Sequence, residues 1–361
     1  MRKTNRRSVR QLRAAMVLTL LICQPALADP DPLFQSDDVL EMTLTGELRA
    51  LARDSSDVPE LRPATLSFAG PDGPVTLAVN LEPRGKSRRD RDVCTFPPLW
   101  VHFDKSAVEG TLFEKQKRLK MVTYCRSPSS FQDYVLKEYL AYRIFNQLTD
   151  ASFRVRLLRV HFAEMGDGRD PLVRYAFFIE HKRRLAKRLD ADVVEPEERI
   201  PSGSLEPEQA TIAEVFQFMV SNTDFSFIAP PVDDTCCHNA ILLAAEGADG
   251  NGDDEGPYLP VPYDFDRTGF VDPPNGEPAA ELGQRSFRDR VYRGFCRDPG
   301  YLDAALARTE AARPAIENLV RTQADLGARS RDRALSYLAG YYDVIADPKR
   351  REQALKCRRT Q

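Results

Sequence analysis

The chain has 361 residues, with 51 basic and 54 acidic side chains, a net charge of −3 and 42% hydrophobic residues, a balance that supports a packed core and excludes a disordered chain. Without its first 28 residues, which hold six basic and no acidic side chains, it has 333 residues and a net charge of −9. That charge argues against nucleic-acid binding, which depends on neutralising phosphates, and the length fits one large two-lobed domain or two domains.

The first segment reads as a secretory signal. Arg2, Lys3, Arg6, Arg7, Arg10 and Arg13 form a positive stretch, Ala14 to Cys23 an apolar core, and Ala26-Leu27-Ala28 a small-residue cleavage site before Asp29. Cleavage after Ala28 by a Sec-type route predicts a periplasmic or secreted protein. The apolar run is too short to cross a bilayer, and no later run approaches about 18 apolar residues. Six cysteines remain, Cys94, Cys125, Cys236, Cys237, Cys296 and Cys357, enough for three disulfides in an oxidising compartment. Cys94 and Cys125 bracket a strand-rich segment and are expected to pair. Adjacent Cys236 and Cys237 are expected to reach different partners, with Cys296 and Cys357 as candidates.

Strand signals dominate the first half. Val39 to Leu48 is strand-like, and Thr65 to Phe68 and Val75 to Leu81 flank Gly70-Pro71-Asp72-Gly73-Pro74, a hairpin signal. A charged loop, Arg84-Gly85-Lys86-Ser87-Arg88-Arg89-Asp90-Arg91, precedes two further strands, Leu99 to Phe103 and Arg118 to Thr123. Ser130 and Asp133 then suggest a capping box for a helix over Phe131 to Leu148. Phe153 to Phe162 and Leu172 to Ile179 form a second hairpin about Gly166-Asp167-Gly168. The second half is mostly helical: a basic helix at Lys182 to Leu189, a linker from Pro201 to Pro207, a buried helix at Gln209 to Ser221, and helices near 300–323 and 330–346. The Asp- and Gly-rich run from Gly247 to Gly256 reads as a flexible strand connection, since it lacks the turn glycine and distal Glu of a calcium loop.

Glu138 is the first residue that chemistry must explain. At 100° per residue, Phe131, Tyr134, Val135, Ala141, Tyr142 and Phe145 fall within about 60° of it, so the carboxylate sits in an apolar helix face. Burial without a partner costs several kcal/mol, and Lys120, on a strand just upstream with Leu119 and Met121 pointing the other way, is the expected partner. A strand Lys paired with a helix Glu is how protein kinases hold α- and β-phosphates. Gly85 allows backbone N–H groups to approach a phosphate, beside basic Arg84 and the hydroxyl of Ser87.

Three more groups follow in order. Asp224 lies in a loop after the buried helix, where a carboxylate can take a proton from an acceptor hydroxyl. Asn239 precedes the apolar strand Ala240 to Ala244, and Asp264 and Asp266 share one face if their segment is extended, offering oxygen ligands to magnesium. Cys236-Cys237-His238 does not have zinc spacing, and His238 reads as structural beside a disulfide. A glycosidase using Asp224 and Asp264 needs stacking aromatics, and the single tryptophan, Trp100, is far from both in sequence.

The ordered set resembles the atypical kinases typified by the spore-coat protein H (CotH) family, and more distantly HipA-type kinases. The resemblance rests on Arg84-Gly85-Lys86-Ser87 (Arg-Gly-Asn-Ser in the family), Leu119-Lys120-Met121, Lys137 to Tyr142, Phe153 to Arg156, Ile179-Glu180, Asn222-Thr223-Asp224, His238-Asn239 and Tyr263-Asp264-Phe265-Asp266. It implies an α+β, bilobed protein-kinase-like fold, with a β-rich N-lobe carrying one main helix over 29–180 and a mainly helical C-lobe over 181–361. ATP and magnesium would lie between the lobes. Lys120 would hold phosphates with Arg84, Gly85 and Ser87, and Glu138 would orient Lys120. Asp224 would be the catalytic Asp, with Asn239, Asp264 and Asp266 as metal ligands. Two functions follow as expectations: an exported phosphotransferase moving the ATP γ-phosphate to a protein or small acceptor, or a catalytically inactive binding or structural protein of the cell envelope.

Overall fold

In the computed structural model, the residues described are 31–85, 87–231, 234–245 and 257–359. The expected leader, with its cleavage site, and the Gly247 to Gly256 connection lie outside them, as does Lys86.

Seven strands form the first architectural unit: β1 (Leu40–Gly46), β2 (Arg62–Gly70), β3 (Gly73–Pro83), β4 (Leu99–Phe103), β5 (Arg118–Val122), β6 (Val155–Glu164) and β7 (Leu172–Ile179). Alternating burial along them, as in β1 and β3, puts Leu44, Leu77, Val79 and Leu81 inside with polar neighbours outside. The β2–β3 turn is tight, with Gly70 opposite Gly73, and Gly73 takes φ +127°, a conformation strained for any side chain. Neighbours pair antiparallel in the order β1-β2-β3-β4-β5-β7-β6, and a parallel β1–β6 ladder, Leu40 opposite Leu158 through Gly46 opposite Glu164, closes the ring.

Closure overturns the expected fold. The strand-rich half is a closed seven-stranded barrel, accompanied by a separate three-stranded sheet and helices, and not the bilobed kinase-like arrangement that the resemblance implied. The physical reason is the β1–β6 pairing, which leaves neither strand as a free edge. Barrel closure depends on segments more than 110 positions apart, which local strand signals do not report.

A short helix, α1 (Leu48–Leu51), follows β1; outside the barrel, α2 (Gln132–Asn146) runs across β6 and β7, and ten of its 15 residues are buried because it is covered on several sides. The predicted capping box does not form: Asp133 instead accepts from Gly327 N at 3.2 Å and Ser330 Oγ at 2.5 Å. After the basic α3 (Lys182–Arg188) and β8 (Ala191–Val194) comes α4 (Pro207–Val220), buried from Gln209 to Val220. Glu206 caps α4 through Glu208 N and Gln209 N, and Pro207 supplies the fixed φ that suits a first turn. Strands β9 (Ala240–Ala245) and β10 (Leu259–Pro262) join β8 in the order β10-β9-β8, so Pro260 lies on an edge strand where its missing N–H is tolerated. Helices α5 (Pro299–Thr322), α6 (Ala328–Ala346) and α7 (Pro348–Ala354) complete the chain.

Among the described residues no helix is long and apolar enough to cross a membrane. Three disulfides join Cys94 to Cys125, Cys236 to Cys237, and Cys296 to Cys357. The first was expected; the other two correct the sequence reading. Cys236 and Cys237 take each other across a cis peptide with Cα atoms 2.9 Å apart, leaving Cys296 and Cys357 to pair at 4.8 Å. Three such pairs fit an oxidising compartment.

Candidate functional site

A cavity of about 1170 Å³ is lined by Arg84, Gly85, Ser87, Lys120, Glu138, Asp224, Asn239, Asp264 and Asp266. Every residue singled out in the sequence for phosphate, base or metal chemistry therefore reaches one space. Several different segments supply them, so the convergence is a product of the tertiary fold.

Lys120 reaches the cavity because β5 alternates: Leu119 and Met121 are fully buried in the barrel and Lys120 points the other way. Its Nζ lies 4.4 Å from the ring centre of Tyr263 and 5.6 Å from that of Trp100, both within cation–π range. Burial, reinforced by Arg84, lowers its pKa to about 7, against an opposing pull from Asp264. Glu138, 5% exposed on α2, is pushed up to about 8 by burial and then by Asp264, while Arg88 and Arg84 act the other way. An ion pair would drive these two groups in the opposite directions. Among the described residues none joins Lys120 to Glu138, so the expected pairing is corrected: the lysine packs on aromatic rings and the glutamate faces the cavity as a neutral acid near pH 7.

The glycine loop is held from two directions. Gly85 has φ +93°, and Arg89 Nε donates to its carbonyl at 2.9 Å. The preceding residue, Arg88, donates to Asp266 across the cavity and approaches the sulfurs of Cys94 and Cys125 at 3.7 and 3.6 Å. The disulfide, the glycine loop and the Asp264–Asp266 turn are thus tied through one guanidinium. Asp266, expected as a metal ligand, is engaged by Arg88 instead.

Asp224 follows Ser221, which ends α4 in the left-handed conformation at φ 52°. Its N–H donates to Asn222 Oδ1 at 2.9 Å, and Arg293 donates to the carbonyls of Thr223 and Phe225 on either side at 2.5 and 2.7 Å. Asn239 Nδ2 donates to the Asp224 carbonyl at 2.7 Å, leaving the amide oxygen available. The Asp224 carboxylate meets His238 Nε2 at 2.7 Å. That hydrogen bond holds the Asp224 carboxyl below the usual range and raises the His238 imidazole above its own.

Asp264 is positioned by its neighbours. Tyr263 N donates to Asn239 O at 2.9 Å, extending the β9–β10 ladder and bringing Asn239 and Asp264 to the same end of that sheet. Asp264 takes φ 64° and donates its N–H to the Tyr142 hydroxyl at 2.9 Å. Phe265 is fully buried against Tyr142 and Phe216, with ring centres 4.6 and 5.2 Å away, so the turn is anchored from behind.

Sequence reasoning missed several cavity residues. His238 was read as structural and is the partner of Asp224. Trp100, far from Asp224 and Asp264 in sequence, lines the same cavity, as do Arg88 and Arg118. The only local signal was the dense basic loop itself. Compared with known proteins, the chain matches no family model and no curated protein.

Proposed function

We propose that the protein is an exported, CotH-like phosphotransferase that moves the γ-phosphate of ATP, with magnesium, to a protein or small-molecule acceptor, from the periplasm or outside the cell after removal of a leader ending at Ala28. The observation that carries this reading is the shared cavity of Lys120, Glu138, Asp224, Asn239 and Asp264.

The donor set suits magnesium. It is held by one or two carboxylates, with substrate phosphates and water completing the shell, and Asp264 with the free oxygen of Asn239 offers that many hard ligands. Bound there, the metal would neutralise charge on the phosphates. Arg84 and Lys120 would hold phosphate oxygens, and an anion there would restore the charge that Lys120 loses on burial. Asp224, kept ionised by His238, is suited to orienting an acceptor hydroxyl, which is most of what a loose phosphoryl-transfer transition state requires.

A second reading has specific support: an inactive envelope protein that binds nucleotide. Asp224 is engaged by His238, Asp266 by Arg88, and Lys120 lacks the Glu138 partner that holds it in kinases. Thermal shift with ATP and magnesium tests binding in both cases. Ligand at 100 times its dissociation constant adds roughly 2.7 kcal/mol, readily seen as a higher Tm. Lys120→Ala and Asp264→Ala should each diminish the shift; nucleotide binding unchanged in both variants rules the site out. Binding without transfer selects the second reading.

A further inference from the structure

Strand pairing sets Trp100 on β4 opposite Lys120 on β5, with Arg118 two residues before it on the same face. Arg84 follows directly on β3, its N–H bonded to Pro98 O at 2.8 Å. Three cations surround one indole. The guanidinium of Arg118 lies 4.1 Å from the Trp100 ring centre, and Arg84 and Lys120 each lie 5.6 Å from it.

These cations differ from the others at that end of the cavity. Lys182 is matched by Glu195 at 2.5 Å and Arg88 by Asp266. Among the described residues, Arg84, Arg118 and Lys120 have no carboxylate within ion-pair distance. Tryptophan holds cations close together without neutralising them. Their mutual repulsion is visible at Lys120, where Arg84, Lys182 and Arg118 add to burial in lowering its pKa.

We propose that Arg118, with Arg84 and Lys120 around Trp100, forms an anion subsite that extends the phosphate-holding site and selects a linear oligophosphate, whether the tail of a nucleoside triphosphate or an inorganic chain. The ligand class rests on the phosphoryl-transfer reading; the subsite itself rests on the cation cluster and needs neither metal nor turnover. An anionic group beside two guanidinium ions without carboxylate partners, and a lysine that recharges on binding, gains more in a partly enclosed space than on an open surface, because screening is weaker there. Adding phosphates within reach of Arg118 should therefore strengthen binding steeply.

The test is calorimetric titration of the purified protein with pyrophosphate, tripolyphosphate and ATP, in EDTA, at pH 8. Arg118→Gln is compared with Arg183→Gln, which removes the same charge from an exposed position outside the cavity. Tripolyphosphate should bind at least tenfold more tightly than pyrophosphate, and Arg118→Gln should remove most of that gain while Arg183→Gln changes it less than twofold. Binding should take up a proton as Lys120 recharges, read from the difference in heat between Tris and HEPES. ATP as tight as tripolyphosphate identifies the nucleotide as the source, and tripolyphosphate that ATP does not displace identifies an inorganic chain. Equal losses in the two variants, or no preference for the longer chain, overturn the subsite. Transfer from magnesium-ATP that survives such a result leaves the proposed function intact, and anion binding without transfer does the reverse.

Discussion

Replacing Glu138 with Gln should make the protein more stable at neutral pH and change how its stability depends on pH. The carboxyl is buried, with a pKa of about 8 against an ordinary 4.5. Between those values the native state keeps a proton that the unfolded chain has released, so stability is full below 4.5 and is lost as pH rises towards 8. Across the whole window the loss is on the order of 5 kcal/mol, at about 1.4 kcal/mol for each pH unit. Lys120 acts with the opposite sign and higher up: its lowered pKa of about 7 makes stability rise between 7 and 10.5. From pH 5 to 7 the imidazoles of His181 and His238 in the same cavity also titrate, but both proteins carry them, so the difference between the two proteins isolates Glu138. Over that range the advantage of Glu138→Gln should grow by about 1 to 3 kcal/mol, the smaller figure applying if water enters the cavity. Urea unfolding at pH 5, 6 and 7, followed by circular dichroism and by Trp100 fluorescence, measures it directly. Parallel stability curves for the two proteins would show that Glu138 is not held as a neutral acid. A Gln variant whose stability falls relative to the wild-type protein as pH rises would mean that Glu138 is paired as an anion.

Other consequences can be checked separately. In His238→Gln the Asp224 carboxyl loses its main stabilising hydrogen bond, so its pKa should rise towards the usual 3.8, seen by carboxyl NMR titration. The intact pair favours folding in the window above the lowered Asp224 value and below the raised His238 value. Both groups are well exposed, so the contribution should be about 0.5 kcal/mol and fall with salt. A carboxyl that does not move in the variant contradicts the dyad. Cys296→Ser with Cys357→Ser opens a link spanning 61 positions and should cost about 4 kcal/mol in the chain-entropy description, measured by denaturant midpoint under non-reducing conditions. An unchanged midpoint would show that this bridge does not form in solution.

Local signals carried much of the fold. The β2–β3 hairpin was legible in Gly70-Pro71-Asp72-Gly73, the β6–β7 hairpin in its glycine turn, and α4 in the spacing of Ile212, Val215, Phe216 and Met219. What escaped was set by partners distant in the chain. β1 alone does not reveal that it pairs with β6, and that pairing closes the barrel. Ser130 and Asp133 have cap spacing, yet Asp133 finds better donors on the α6 turn. β8, four residues interrupted by Asp192, is too short and polar for a strand pattern. The site divides the same way. The burial of Glu138 was written in the helix face, whereas its relation to Lys120 depends on where α2 lies against the barrel. His238 carries no mark of its partner, because fourteen positions separate it from Asp224 and only the folded loops bring them together.

The most direct test of the central claim is phosphate transfer from γ-labelled ATP in the presence of magnesium, comparing the purified protein with Asp224→Asn. The wild-type protein should label itself or an added protein acceptor, and the variant should label about 100-fold more slowly while still binding nucleotide. Equal labelling by both proteins would contradict the role given to Asp224, and no labelling by the wild-type protein with any acceptor, despite nucleotide binding, would contradict phosphotransfer itself.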